Sequence, residues 1–215
     1  MKARISIISV NYNGFALTAA MIDSLRRHVT TPLEIVVVDN GSARDEAALL
    51  RERYPDITVL RSDENLGFAG GNNLGIRAAT GDCLLLLNND TEVTDDTLHH
   101  LAETLDADPS IGAVCPKIRF WAPPQAIQFA GYTPLTRITL RNGLIGFGQP
   151  DDGSYDSPHE TPYAHGAARR LSIIYQLGVA LPKSVAAALL HGRRDLAAAA
   201  LRGCRDFLRH KTGKE

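Results

Sequence analysis

Cysteine is scarce in this chain of 215 residues, which contains three cysteines and no CxxC pair. Two of them, Cys83 and Cys115, lie within apolar runs, and the odd count leaves no complete set of disulfides. The pattern indicates reduced thiols in a cytosolic protein. A chain of this length buries roughly 70% of its unfolded surface, so it needs neither disulfides nor a structural metal for stability.

A long uninterrupted apolar segment is also lacking. Gln176, Pro182 and Lys183 break the only region that approaches the length of a transmembrane helix. The apolar run Ile5–Val10 is short, contains two serines and ends at a polar residue, unlike the core of a signal peptide. We therefore expect a cytoplasmic protein with no membrane span, and secretion is disfavoured.

Charge is unevenly distributed, although the formal net charge is only −1. Residues 169–215 contain 10 Lys and Arg against 3 acids, which leaves 13 against 21 in residues 1–168. The tail predicts an amphipathic basic helix, suited to the inner face of the membrane, to the main domain or to a second subunit. Nucleic acid is disfavoured as a partner, because the main domain is acidic. At helical spacing the apolar face holds Leu196, Ala200, Cys204 and Phe207, and the basic face holds Arg202, Arg205 and Arg209.

Short apolar runs alternate with helical patterns along the first half of the chain. The runs are continuous, as in strands that are covered on both faces of a parallel sheet. The sequence therefore predicts an α/β fold with a mostly parallel sheet. The expected strands are Ile5–Val10, Ile35–Val38, Ile57–Leu60, Cys83–Leu87 and Ala113–Cys115. The expected helices are Ala16–Arg27, Asp45–Tyr54, Ala69–Ala79 and Asp96–Leu105, with Asp45 and Asp95 as N-caps.

The composition changes twice along the chain and predicts three parts. Residues 1–118 form the α/β domain. Residues 119–168 are rich in proline and glycine, which favours loops and a hairpin around Ile138–Phe147. Residues 169–215 form a helical tail rich in Ala, Leu and Arg.

Polar residues follow four of the expected strands, at the point where each strand ends. In a parallel sheet these ends share one edge, at which α/β proteins bind ligands. A carboxylate there would hold Mg²⁺ or Mn²⁺ on a diphosphate, and a second would bind a ribose or a base, so a nucleotide diphosphate is indicated. Each segment alone has a plainer explanation, since Asp-Asn-Gly is ordinary turn chemistry and glycines let a helix approach a sheet. The residues concerned are Asn11, Tyr12, Asn13, Asp39, Asn40, Gly67, Gly70, Gly71, Asn72, Asn88, Asn89 and Asp90.

Five segments resemble, in this order, the inverting family-2 glycosyltransferases of the GT-A fold, in particular the rhamnosyltransferase-like branch. They are SIISVNYNG, EIVVVDNGS, ENLGFAGGNNLGI, GDCLLLLNNDTEV and IGAVCPKI, and they cover residues 5–118. The resemblance implies transfer of a sugar, with inversion, from a UDP- or dTDP-sugar to an acceptor hydroxyl in cell-surface polysaccharide synthesis. The acceptor would be a saccharide or a lipid-linked saccharide.

The resemblance also implies a role for each polar strand end. Asp39 would bind the uridine or thymidine of the donor, and Asp90 the metal and diphosphate, with Asn88 acting only indirectly. The turn Gly67–Asn73 would approach the donor through its backbone. The remaining donor-binding candidates are Asn11, Tyr12, Asn13, Asn40 and Asn89.

No catalytic base can be assigned. The acidic ED motif of the family should follow HGAA, His165–Ala168, but here the basic tail follows directly. We expect an internal deletion of the acceptor block, which leaves a sugar transferase, active or impaired, or else a non-catalytic donor-binding remnant or assembly partner. Glu160 and His159 are the available substitutes for the base. A nicotinamide oxidoreductase is disfavoured, because the first strand ends in NYNG where a glycine fingerprint belongs.

Overall fold

Four parallel strands form the central sheet of the computed structural model, which describes residues 5–122, 125–136 and 141–162. The strand order is β3-β2-β1-β4, with every neighbouring pair parallel. This sheet confirms the predicted α/β fold. The strands are β1 (Ile5–Asn11), β2 (Leu33–Asn40), β3 (Thr58–Ser62) and β4 (Cys83–Leu86).

Helices cover both faces of the sheet. Helix α3 packs on the face that carries Ile8 and Val38, whereas the core on the opposite face joins strand residues to buried side chains of the other three helices. Burial on both faces explains why the strands are continuously apolar. The helices are α1 (Phe15–His28), α2 (Glu46–Arg53), α3 (Gly67–Ala78) and α4 (Thr97–Ala107).

Two glycines let α3 lie unusually close to the sheet. A Cβ at Gly71 would come within 2.9 Å of Val10, and a Cβ at Gly75 within 2.4 Å of Ile8. Real side chains do not approach that closely, so alanine at either position would force the helix or the facing strand side chain to move. The close packing of helix and sheet is therefore one demonstrable role of the glycine-rich segment.

Three expectations about the main domain are wrong. Ala113–Cys115 is not a strand. Asp95 is not the N-cap of α4, because that position belongs to Asp96, whose carboxylate accepts from the Thr30 amide at 3.2 Å instead of capping the helix. The leucine run before the polar turn is not fully buried either. Leu84 is 49% exposed, because β4 pairs only with β1 within the described part of the chain.

A small antiparallel unit follows the main sheet. Strands β5 (Ile118–Arg119) and β6 (Ile127–Phe129) pair with each other. Beyond β6, residues 130–136 and 141–145 run antiparallel, joined by hydrogen bonds such as Thr133 N to Gly143 O at 3.0 Å. The hairpin predicted around Ile138–Phe147 lies partly outside the described residues, and the described pairing begins earlier than expected, at residue 130.

The Ala/Leu/Arg-rich tail predicted to form a basic helix lies outside the described residues, as does the seam after His165–Ala168. The three-part division of the chain stays a prediction. Within the described ranges, no helix is both long and apolar enough to cross a membrane.

Tyr54, directly after α2, joins α2 to α1. It is 2% exposed, and its hydroxyl donates to Asp23 Oδ1 at 2.9 Å and lies 3.1 Å from Ala19 O. Burial, followed by the hydrogen bond to Asp23, raises the pKa of Tyr54 to about 12. Because the folded protein holds this proton more tightly than the unfolded chain, the stabilisation is complete below pH ~10 and is lost as the pH rises through ~12.

We predict that Tyr54→Phe weakens the alkaline loss of stability. The free energy of unfolding, measured by urea denaturation at about pH 8 and about pH 11, should fall between the two by about 1.4 kcal/mol less in the variant than in the wild type. Tyr12→Phe removes an exposed hydroxyl and is the matched control. An identical fall in wild type and Tyr54→Phe would contradict the assignment.

Candidate functional site

The order of the sheet reverses beside β1. Strands β2 and β3 lie on one side of it and β4 on the other, so the carboxyl ends of β1 and β4 flank the point where such sheets bind ligands. Asn11 ends β1, opposite Asp39 in β2. The turn Asn88–Asp90 follows β4. Leu87, which lies between them, donates its backbone N–H to Ile8 O in β1 at 3.0 Å. The predicted polar segments therefore lie at one edge of the sheet.

Asn11 is fully buried at this edge, and its amide is saturated with hydrogen bonds. Its Oδ1 accepts from Thr18 Oγ1 at 2.8 Å. Its Nδ2 donates to Glu46 Oε2 at 2.8 Å and lies 3.4 Å from both Asp39 Oδ1 and Ser42 Oγ. A buried amide with this many partners organises the site, because each loop that meets it is held in one position.

Glu46, the first residue of α2, closes the amino end of α1. Its Oε2 accepts from the backbone amides of Gly14 at 3.0 Å and Phe15 at 3.1 Å. These amides belong to the first turn of α1, where intrahelical partners are missing and negative charge is favoured. One carboxylate oxygen thus joins the start of α1 to Asn11 and, at 3.4 Å, to Ser42.

Asp39 is buried and already bonded within the protein. Its carboxylate accepts from Ser42 N at 3.3 Å and Ala47 N at 3.2 Å, and it lies 3.5 Å from the Arg61 guanidinium. Arg61 also pairs with Asp45 at 2.7 Å. A hydrogen bond from the Ala48 amide, then one from Arg61, lowers the pKa of Asp45, which caps α2 as predicted.

Asn40 positions the turn before α3. Its Oδ1 accepts from Leu66 N at 3.0 Å, and its Nδ2 donates to Asn65 Oδ1 and to Gly67 O. Asn72 is also buried and donates to Phe68 O at 2.9 Å. The amides of both residues are thus engaged in holding the chain.

The polar turn after β4 is divided between the interior and the surface. Asn89 Nδ2 donates to Thr18 Oγ1 at 3.1 Å, whereas Asn88 and Asp90 are exposed. Among the described residues no hydrogen bond or ion pair engages the Asp90 carboxylate. No group of three His, Cys, Asp or Glu side chains in this part of the chain converges on a metal position. A cation at Asp90 would therefore need most of its ligands from a bound diphosphate and water.

The predicted residues separate into two groups. One is buried and bonded, and the other is accessible to a ligand. Asn13 belongs to the second group although its Oδ1 accepts from Ala43 N at 2.9 Å, and its φ of 51° is one that asparagine tolerates. The buried group contains Asn11, Asp39, Asn40, Gly71 and Asn72, and the partly or fully exposed group contains Tyr12, Asn13, Gly67, Gly70, Asn88, Asn89 and Asp90.

Three residues of the network, Thr18, Ser42 and Glu46, are not among the sequence-predicted site residues. Thr18 lies on the buried face of α1. A hydroxyl among apolar side chains needs a hydrogen-bond partner, and this could have indicated from the sequence that Thr18 belongs to a polar network. The sequence gives no comparable indication for Glu46, because an acidic residue in the first turn of a helix is common.

A separate pocket lies at the opposite, amino end of the sheet. Its lining includes Thr31 and Pro32, just before β2, together with His99 and Glu103 of α4. None of the polar residues that follow the strands lines this pocket. Its position does not support it as the site of a parallel α/β sheet.

Comparison with protein families gives one match that covers most of the chain. Residues 6–160 match the model of Glycosyl transferase family 2. The chain belongs to this family. The family and the parallel sheet together confirm the predicted GT-A architecture, whereas the rhamnosyltransferase-like branch stays a prediction.

Curated relatives of this family-2 chain are much longer than the part it matches. The O-antigen biosynthesis protein RfbC of Myxococcus xanthus is 31% identical over 153 residues, which are 69% of this chain and 11% of that protein. The uncharacterized glycosyltransferase YwdF of Bacillus subtilis is 28% identical over 105 residues, 48% of this chain and 38% of that one. The chain therefore spans well under half the length of these relatives.

Solved glycosyltransferase structures show similar partial coverage of the family-2 chain. A mannosyltransferase from Pyrobaculum calidifontis, solved in complex with GDP-Man and Mn²⁺, aligns with a TM-score of 0.48 and 30% identity. The alignment covers 54% of this chain and 36% of the mannosyltransferase.

We predict that Glu46→Ala lowers the free energy of unfolding by about 2 kcal/mol, because several donors lose a charged acceptor. Urea denaturation at neutral pH measures the change. Glu52→Ala, on the exposed side of the same helix, is the matched control and should change stability by less than about 0.5 kcal/mol. Equal effects of the two substitutions would show that Glu46 does not hold the network together.

Proposed function

We propose that this protein binds a nucleotide-diphospho-sugar and transfers the sugar, with inversion, to an acceptor hydroxyl. The observation that carries the proposal is the pairing of a buried, bonded amide network with the exposed carboxylate of Asp90, which no residue of the described part of the chain engages, at the reversal point of the sheet. The amide network contributes to the stability of the fold, whereas the exposed Asp90 carboxylate does not. Membership of Glycosyl transferase family 2 supplies the class of reaction.

Asp90 is the residue that would hold a divalent cation, Mg²⁺ or Mn²⁺, with Asn88 beside it. A single exposed carboxylate fits such a site, since Mg²⁺ is commonly held by one or two carboxylates with phosphates and water completing the shell. When bound, the cation stabilises negative charge on the leaving diphosphate. Asn89 contributes by fixing the turn, because its amide is tied to Thr18.

The nucleoside, uridine or thymidine, would lie at the end of β2, bordered by Tyr12 and Asn13. The described contacts of Asp39 are 3.2–3.5 Å long, whereas charge-assisted bonds are commonly about 2.7–2.9 Å, so its carboxylate retains capacity to accept a hydrogen bond from a base. Arg61, whose side chain is 30% exposed, is the group that must move to admit one. Gly67 and Gly70 would approach the donor through their backbone.

The acceptor is proposed to be a saccharide or lipid-linked saccharide of a cell-surface polysaccharide. The resemblance to an O-antigen biosynthesis protein supports this class. A carboxylate or imidazole must remove the acceptor proton. Glu160 and His159 are both exposed, and the His159 ring lies against Gly131, whose added Cβ would come within 2.7 Å of Nε2. His159 Nδ1 lies 3.3 Å from Ser157 O, but no described carboxylate contacts the ring and no described hydrogen bond engages the Glu160 carboxylate. This favours impaired catalysis or a donor-binding partner without turnover.

The basic tail is proposed to hold the protein at the inner face of the membrane or against a second subunit. The charge of residues 169–215, 10 Lys and Arg against 3 acids, supports a contact with anionic lipid.

We predict that Asp90→Ala weakens Mn²⁺-dependent binding of UDP or dTDP by at least about tenfold, because the carboxylate that holds the cation is lost. Isothermal titration of each nucleotide, with and without Mn²⁺, measures it. Glu92→Ala removes an exposed carboxylate two residues away and should bind like the wild type. Unchanged binding by Asp90→Ala would refute the metal assignment, and preferential binding of NAD would refute the whole proposal.

Turnover separates an active enzyme from a donor-binding remnant. With a radiolabelled UDP- or dTDP-sugar and membrane-derived acceptors, we expect nucleotide binding but transfer well below that of a full-length family member. Efficient transfer that disappears in Glu160→Gln would contradict the expected impairment and would identify the base.

A further inference from the structure

Thr18 is a buried hydroxyl between the two ends of the candidate donor site. It is 0% exposed in α1, and its neighbours on the buried face of the helix include Ala19, Met21 and Ile22. Its Oγ1 donates to Asn11 Oδ1 at 2.8 Å and accepts from Asn89 Nδ2 at 3.1 Å. Thr18 is therefore a direct link between the network at the ends of β1 and β2 and the turn after β4.

The carboxylates of Asp39 and Glu46 fix which group donates and which accepts along the chain of hydrogen bonds from Asn11 through Thr18 to Asn89. Glu46 and Asp39 carry carboxylates, which only accept, so the Asn11 NH₂ group must face them and the Asn11 carbonyl must face Thr18. The Thr18 hydroxyl then has its one proton committed to Asn11 and can only accept from Asn89. Each amide in the chain is held in a single orientation.

Asn89 supplies the described tie to the domain within the turn itself. The backbone bond in the turn, Thr91 N to Asn88 O at 3.2 Å, is local. The other described ties flank the turn, from Leu87 N to Ile8 O and from Val93 N to Ser24 Oγ, both at 3.0 Å. The Asn89 amide also lies over Gly14, where an added Cβ would come within 2.8 Å of Nδ2. The start of α1 is thus shaped to receive this side chain, and Thr18 supplies the hydrogen bond.

We propose that Thr18 is a positioning residue that couples the nucleoside end of the donor site to the diphosphate end. The proposal rests on the proposed function. Thr18 itself is buried and does not touch the donor. Loss of the hydroxyl removes the donor to Asn11 Oδ1 but keeps the bonds of Asn11 Nδ2 to Glu46 and Asp39, whereas the turn that presents Asp90 loses its tie to α1. Binding of the diphosphate and cation should therefore suffer more than binding of the nucleoside.

The test compares two probes on the full chain, uridine 5′-monophosphate without metal and UDP with Mn²⁺, or the thymidine pair if the wild type prefers it. Thr18→Val keeps the shape of the side chain but removes the hydroxyl. We expect it to reduce the affinity for UDP with Mn²⁺, divided by the affinity for UMP, by about tenfold. Thr18→Ser keeps the hydroxyl and should give about the wild-type ratio.

Tyr54→Phe controls for lost stability. Tyr54 is 2% exposed, and its hydroxyl donates to Asp23 Oδ1 of the same helix, α1, at 2.9 Å. Its substitution should lower the melting temperature without changing the affinity ratio. If Thr18→Val does not fold, Thr18→Ala leaves room for a water molecule and serves in its place.

The outcomes separate the two claims. Wild-type protein that binds neither probe would overturn the proposed function and the coupling with it. Wild-type binding with an unchanged ratio in Thr18→Val would overturn the coupling alone and leave the hydroxyl a purely structural role. A reduced ratio that Thr18→Ser restores would support it.

Discussion

The side-chain amide of Asn11 is the contact on which the rest of the site depends. It ends the central strand of the sheet, where no water reaches it, so both of its polar atoms must find partners in the protein. Those partners come from three separate segments: Thr18 in α1, Asp39 in β2 and Glu46 in α2. The amide therefore fixes where two helices begin relative to the sheet, and an unsatisfied amide here would cost about 1–3 kcal/mol.

This constraint explains why such apolar strands end in such polar residues. Strands β1 and β2, which are buried, carry Asn11 and Asp39 to one edge of the sheet, and both side chains are fully buried there. Asp39 takes part in ligand binding only when Arg61 moves, so binding is left mainly to exposed groups that the network holds in place. Asp90 is the clearest of these, because it lies exposed on a turn whose neighbouring residue, Asn89, is tied to Thr18. Asn89 thus holds the turn in place, and Asp90 is the residue proposed to bind the metal.

Much of this arrangement follows from sequence. Continuous apolar runs predicted the four strands, and the residues after them predicted the edge where they meet. Contacts between segments distant in the chain could not be predicted, because the link from Glu46 to Gly14 depends on how α1 and α2 pack. Periodicity also overestimated burial, since it registers apolar residues and not their neighbours: Leu84 belongs to an apolar run yet is 49% exposed. The tail, whose charge pattern is clear, lies outside the described residues.

The most direct test of the account is a crystal structure of the full chain soaked with UDP and Mn²⁺, with anomalous diffraction to locate the metal. The account predicts one manganese peak about 2 Å from an Asp90 carboxylate oxygen, bridged to a diphosphate beyond the ends of β1 and β4. Nucleotide bound at the opposite end of the sheet, beside Thr31 and His99, would contradict it. So would a diphosphate at the predicted edge with its metal held away from Asp90.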